Sequence, residues 1–151
     1  MPNKTSNDIP QWSFIKGASQ DDAIAMENLN CECKSYLLPG VASSTCFRKL
    51  YDVVDATSEA AASDKYVALE WLGITLAQVK YQSGKDNYVL VEKVLSASLH
   101  ICVVLESQDH VNTDYNPANI LLSGIGINQI TAKVGDLGLV FPSGQCFNAQ
   151  P

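Results

Sequence analysis

The sequence predicts an α+β fold, on three observations. Its first half reads as strand, helix, strand, strand, with short β-branched and aromatic runs set around one helical stretch. A long amphipathic segment, Asp86 to Glu106, follows. Beyond it lie two short apolar runs, Ile120-Leu121-Leu122 and Thr131-Ala132-Lys133-Val134, joined by a Gly/Asn-rich connection from Ser123 to Asn128. That last pattern reads as a hairpin.

The bulk properties are compatible with such a domain. At 151 residues the chain is sized for one domain or part of a larger one. Apolar residues make up 46% and charged residues 17%, enough for a packed core and against global disorder. Ten Lys plus Arg face 16 Asp plus Glu, a net charge of −6 with no long run of either sign. That balance argues against a nucleic-acid surface and against binding an anionic membrane. Residues Met1 to Asp8 lack the apolar core of a secretory signal. The longest apolar stretch, around Ile101 to Leu105, falls short of the ~20 residues of a membrane span, so an intracellular protein, cytoplasmic or nuclear, is expected.

Five cysteines, an odd number without a signal peptide, point to reduced thiols. Cys31 and Cys33 fall in a helical pattern, where i and i+2 diverge, and no Cys-x-x-Cys or paired His supports zinc. His100 and His110 read as ordinary helix or surface residues.

Taken in order, residues 1–10 are polar and expected to be disordered. Gln11 to Lys16 reads as a strand closed by Gly17, and Ser19 with Asp22 as a helix-capping pair. Met26, Leu29, Cys33, Tyr36 and Leu37 recur at helical spacing, with Glu32 beside the stripe, until Leu38-Pro39-Gly40 ends the helix. A loop from Val41 to Thr45 leads to a strand from Phe47 to Val54. A second strand, Lys65 to Trp71, puts Val67, Leu69 and Trp71 on one face. Leu72-Gly73 breaks it, and a short helical segment spans Thr75 to Lys80. In the helix Asp86 to Glu106, Leu90, Val94, Ala97, Ile101, Val104 and Leu105 form the buried stripe.

Polar groups cluster at the ends of the hairpin. Asp114 and Asn119 lie five positions apart around Pro117, and Asp136 follows the second strand within Asp136-Leu137-Gly138. Three oxygen-bearing side chains gathered there can hold a hard cation such as Mg²⁺.

The ordered set Lys16, Glu32, Leu69-Glu70-Trp71-Leu72, Asp114-x-x-Pro117-x-Asn119 and Asp136-Leu137-Gly138 resembles the eukaryotic protein kinase domain over about Gln11 to Pro142. The wording LPGVASS and ALEWLG looks most like a fungal kinase-like group. The resemblance implies a kinase-like α+β fold: an amino-terminal lobe of sheet plus one helix over residues 11–71, a hinge at 72–73, and the start of a helical lobe over 74–142. It implies ATP and Mg²⁺ as ligands and phosphoryl transfer to protein serine or threonine. Asp114 would orient the substrate hydroxyl, and Asn119 and Asp136 would hold Mg²⁺. Lys16, paired with Glu32, would contact the α/β-phosphates. Leu69, Glu70 and Leu72 would border adenine. Without the resemblance, Lys16 serves equally as a solvated strand-end lysine, Glu32 as a helix-surface carboxylate, and Asp114, Asn119 and Asp136 as turn residues.

Some family features are missing. No G-x-G-x-x-G loop is present, Asn112 and Thr113 stand where His and Arg are expected, and Asn116 replaces the catalytic-loop lysine. Thirteen residues follow Gly138 without an Ala-Pro-Glu, so a truncated activation segment, disordered over 143–151, is expected, with one face of the 86–106 helix left uncovered. These departures imply weak or absent catalysis. The alternative expectation is a non-catalytic pseudokinase or interaction fragment with a protein partner.

Overall fold

The computed structural model describes residues 12–57, 63–80, 83, 86–125 and 129–146. Gln11 and the tail before it, part of the hairpin connection and residues 147–151 lie outside them. The fold is α+β, built from small antiparallel sheets and a few helices.

Strand β1 (Ser13–Ala18), helix α1 (Ala23–Tyr36), strand β2 (Leu50–Thr57) and strand β3 (Ser63–Glu70) make the first unit, with β3 central in the order β1-β3-β2. The sequence predicts that Gly17 closes β1, but the strand runs on to Ala18. Gly17 lies opposite Tyr66, and a Cβ there would meet the tyrosine ring at 2.7 Å, so this glycine makes room for a neighbour. Asp22 alone caps α1, accepting the Ala25 N–H at 2.9 Å.

Helix α1 turns Leu29, Glu32, Cys33 and Tyr36 inward. It ends at Leu37, and Pro39 then opens a second short helix, α2 (Pro39–Ser43), where a loop was expected. Proline lacks the N–H that the first helical position leaves unpaired, so it starts a helix as readily as it stops one. β2 begins three residues later than expected. Phe47 instead bridges to Val134, and Arg48 N–H donates to the Val134 carbonyl at 2.8 Å. Val67 and Leu69 are buried as expected, but Trp71 lies past the strand and is exposed.

The second sheet holds β4 (Ile74–Thr75), β6 (Ile120–Ser123) and β7 (Thr131–Val134) in the order β4-β6-β7. The hairpin pairs Ile120 with Val134 and Ser123 with Thr131, as the sequence predicts. Between β4 and β6 come a 3₁₀ turn at Leu76–Gln78, helix α3 (Asp86–Glu106), β5 (His110–Asn112) and a second 3₁₀ turn at Pro117–Asn119. β5 pairs with β8 (Val140–Pro142), and a last short helix, α4 (Ser143–Cys146), stands where disorder was expected.

Helix α3 spans the expected residues and packs on β7, β5 and α2 through Ala97, Ile101 and Leu105. Its other face carries Val91, Leu95, Leu99 and Val103, each more than half exposed, matching the predicted uncovered face. Over Asn87–Glu106 the helix is long and apolar enough to cross a membrane by length and composition. The short apolar run at Ile101 to Leu105 concealed this, since Glu92 and Lys93 are the only charges between Asn87 and Leu105. One buried cluster, including Leu29, Phe47, Leu69, Ile101, Leu122, Val134 and Leu137, joins the two three-stranded sheets to α1 and α3.

Candidate functional site

Lys16 projects from β1 on the face shared with Phe14, since strand side chains alternate. Its Nζ lies 2.7 Å from Glu32 Oε2 of α1 and 3.1 Å from Asp136 Oδ2 after β7. The three groups come from positions 16, 32 and 136, and only folding brings them together. Glu32 is 1% exposed in its side chain, against 34% for Lys16 and 43% for Asp136.

Burial sets the electrostatics. It draws the Lys16 ammonium down, but Glu32 and Asp136 more than offset it and hold the lysine above its ordinary value. Burial pushes the Glu32 carboxyl up, and the Lys16 ammonium reverses only part of that.

Asp136 is fixed from both sides. Its Oδ1 accepts the Gly138 N–H at 3.0 Å. Just before it, the Gly135 N–H donates to the Asn119 carbonyl at 2.9 Å, while the Gly135 carbonyl accepts the Tyr36 hydroxyl at 2.6 Å. A Cβ at Gly135 would sit 2.4 Å from Leu121 Cδ1, so a larger residue there would force the Leu121 side chain to move.

Asp114 sits beyond β5, which the β8 pairing pins in place; Thr113 also donates to the Leu139 carbonyl through both N–H and hydroxyl. Both Asp114 carboxylate oxygens are engaged. Asn116 Nδ2 donates to Oδ1 and Asn119 Nδ2 to Oδ2, each at 2.9 Å. Asn119 is therefore oriented with its amide hydrogens toward Asp114, leaving its carbonyl oxygen for another partner. Asn119 shares one cavity of about 190 Å³ with Phe14, Lys16, Glu32, Arg48 and Asp136.

The remaining expected site residues take other positions. Leu69 is 0% exposed in the core, and Leu72 is also buried. Glu70 is tied by side chain to Lys133 Nζ at 2.7 Å, and its Oε2 accepts the Lys49 N–H at 3.0 Å. None of the three lines the cavity around Lys16. Two residues that do line it carried no sequence signal of function, Phe14 and Arg48. Phe14 was legible only as the residue two before Lys16 on the same strand face, and Arg48 only as a cation inside an aromatic-apolar run.

Among the described residues, no three His, Cys, Asp or Glu side chains converge as a metal cage. Asn119 and Asp136 supply one amide oxygen and one carboxylate, a set suited to a cation that takes its other ligands from phosphate and water. No family model matches the chain, and no curated protein matches it.

Proposed function

We propose that this chain is a protein kinase-type module that binds ATP with Mg²⁺, with weak or no phosphoryl transfer to serine or threonine. The observation that supports it is the contact of Lys16 with both Glu32 and Asp136. The resemblance implies a Lys16–Glu32 ion pair and places Asp136 on the Mg²⁺ of the same nucleotide, and the three residues lie side by side. In this reading the fold is kinase-like, with β1, α1, β2 and β3 as the amino-terminal lobe and the chain after Leu72 as the start of the second.

The chemistry follows from charge. A transferring phosphoryl group spreads negative charge over its oxygens, and the protein contributes mainly position and neutralisation. Lys16 supplies a cation for the α/β-phosphates, kept charged by Glu32 and Asp136. Asn119 and Asp136 would hold Mg²⁺ between phosphate oxygens. Asp114 would draw the proton from the acceptor hydroxyl as that oxygen bonds to the γ-phosphorus and the bond to the β–γ bridging oxygen breaks.

One observation favours the non-catalytic reading. Asn116 and Asn119 each hold one Asp114 oxygen, so accepting a proton requires giving up a hydrogen bond, and Asn116 brings no positive charge to the γ-phosphate. Loss of one preorganised donor of this kind costs on the order of 10²–10³ in rate.

Thermal shift with and without Mg²⁺-ATP tests the binding claim. The expected result is a Mg²⁺-dependent rise in the wild type that Asp136→Ala abolishes. An unchanged melting point, or an Asp136→Ala variant that responds like wild type, would end the nucleotide reading. Labelled γ-phosphate then separates the two forms: binding without transfer leaves the pseudokinase.

A further inference from the structure

The cavity beside Lys16 ends on a buried arginine. Arg48 is 9% exposed, yet among the described residues its guanidinium is not paired with a carboxylate. Its Nε donates to the Glu70 backbone carbonyl at 2.6 Å, and its Cζ lies 4.3 Å from the centroid of the Phe14 ring. Phe14 and Leu69 are register partners across β1 and β3, so the guanidinium reaches across the end of the sheet on the Lys16 side. A planar, π-stacked donor bonded to a strand-end carbonyl has the recognition features of a heteroaromatic ring.

We infer that Arg48, stacked on Phe14 and bonded to the Glu70 carbonyl, occupies the place a nucleotide base would take, so that the site selects for a Mg²⁺-polyphosphate group with little discrimination by base. The inference rests on the phosphate-binding reading above. Four observations carry it. The cavity of about 190 Å³ falls below the roughly 300–1,000 Å³ of sites that enclose a whole small molecule. The Glu70 carbonyl is spent on Arg48, and the Glu70 N–H is spent on the Lys49 carbonyl at 2.8 Å. The Phe14 ring face that a base would stack on is covered by the guanidinium. Finally, the arginine backbone is held by Val134, so only its side chain is free to leave.

The phosphate end remains suited to its ligand. Lys16 and Arg48 set two positive charges against Glu32 and Asp136 in one cavity, and Mg²⁺ would add the remaining charge for a di- or triphosphate. Entry of a base requires Arg48 to give up its carbonyl and its ring together.

Calorimetric titration of the full chain with Mg²⁺ plus tripolyphosphate, ATP or GTP tests this. The expected wild-type dissociation constants for the three lie within about threefold of one another. In Arg48→Val, ATP binding tightens about tenfold relative to tripolyphosphate, because the carbonyl and ring are freed. Arg48→Gln removes the guanidinium, keeps a polar side chain at that position and leaves the Phe14 ring open, and it moves the ratio the same way; it decides the matter if Arg48→Val does not fold. A wild type that already prefers ATP to tripolyphosphate by more than about tenfold overturns the inference and leaves the nucleotide reading standing. Variants that leave the ratio unchanged overturn it as well. Failure of all three ligands to bind any variant removes both readings.

Discussion

Tyr36 donates its hydroxyl hydrogen to the Gly135 carbonyl at 2.6 Å, joining the last turn of α1 to the residue before Asp136. The phenol is 4% exposed, so neither group has water to fall back on. The bond therefore fixes where the carboxylate of Asp136 stands relative to Glu32, two groups that Lys16 must reach at once.

Tyr36→Phe leaves the Gly135 carbonyl buried without its partner and is expected to cost about 1–3 kcal/mol in chemical denaturation. Burial, then the charge of Glu32, raises the Tyr36 pKa well above 10.0, with Arg48 opposing. A raised folded-state value means the neutral phenol is the form the fold favours. Its contribution is full below the unfolded value near 10 and fades as pH climbs toward the folded one. The wild type should lose stability on the alkaline side of pH 10 more steeply than Tyr36→Phe.

Lys16→Met strands a buried Glu32 carboxylate. Breaking a fully buried pair costs about 3–5 kcal/mol; with Lys16 a third exposed, about 1–3 kcal/mol is expected. Glu32 is already raised by its burial, and losing Lys16 raises it further. The carboxyl is thus happiest protonated, so the deficit should shrink as pH falls through the acidic range and grow toward neutrality. The double variant Lys16→Met/Glu32→Gln should recover most of the loss at pH 7. A deficit that stays flat with pH would contradict the assignment.

Asn116→Lys releases Asp114 Oδ1 from its amide and, under the proposed kinase-type function, would place an ammonium beside the γ-phosphate. Transfer of labelled γ-phosphate to a serine/threonine peptide mixture is expected to rise by roughly tenfold or more, and Asp114→Asn in that background to return it to blank. Equal blanks for all three chains would favour the non-catalytic form.

Leu95 and Leu99 belong to the open ridge of α3. Replacing both with lysine removes apolar surface from water without touching Ala97, Ile101 or Leu105 underneath. Light scattering should show the variant monodisperse at concentrations where the wild type aggregates, with an unchanged melting point.

Some of this was legible in the sequence and some was not. The limits of α3 and the pairing of β6 with β7 follow from local periodicity, which needs no knowledge of distant neighbours. Asp114, Asn119 and Asp136 sit at the ends of those elements and were legible for the same reason. Lys16 and Glu32 needed the resemblance, because nothing local says that a strand lysine meets a helix glutamate. Arg48 and Phe14 were invisible: their meeting is decided by the bridge from Phe47 to Val134, a contact 87 positions apart in sequence (134 − 47). Pro39 misled because its missing N–H suits both ends of a helix, and Trp71 because alternation cannot tell where a strand stops.

The same bridge has a kinetic consequence. Val134 N–H donates to the Cys46 carbonyl, Arg48 N–H donates back to Val134, and Lys133 grips Glu70 beside them. These contacts sew the two three-stranded sheets along one seam and oppose their parting like jaws. A base entering beside Lys16 would then wait on one side chain, Arg48, changing rotamer, while a bare polyphosphate would not.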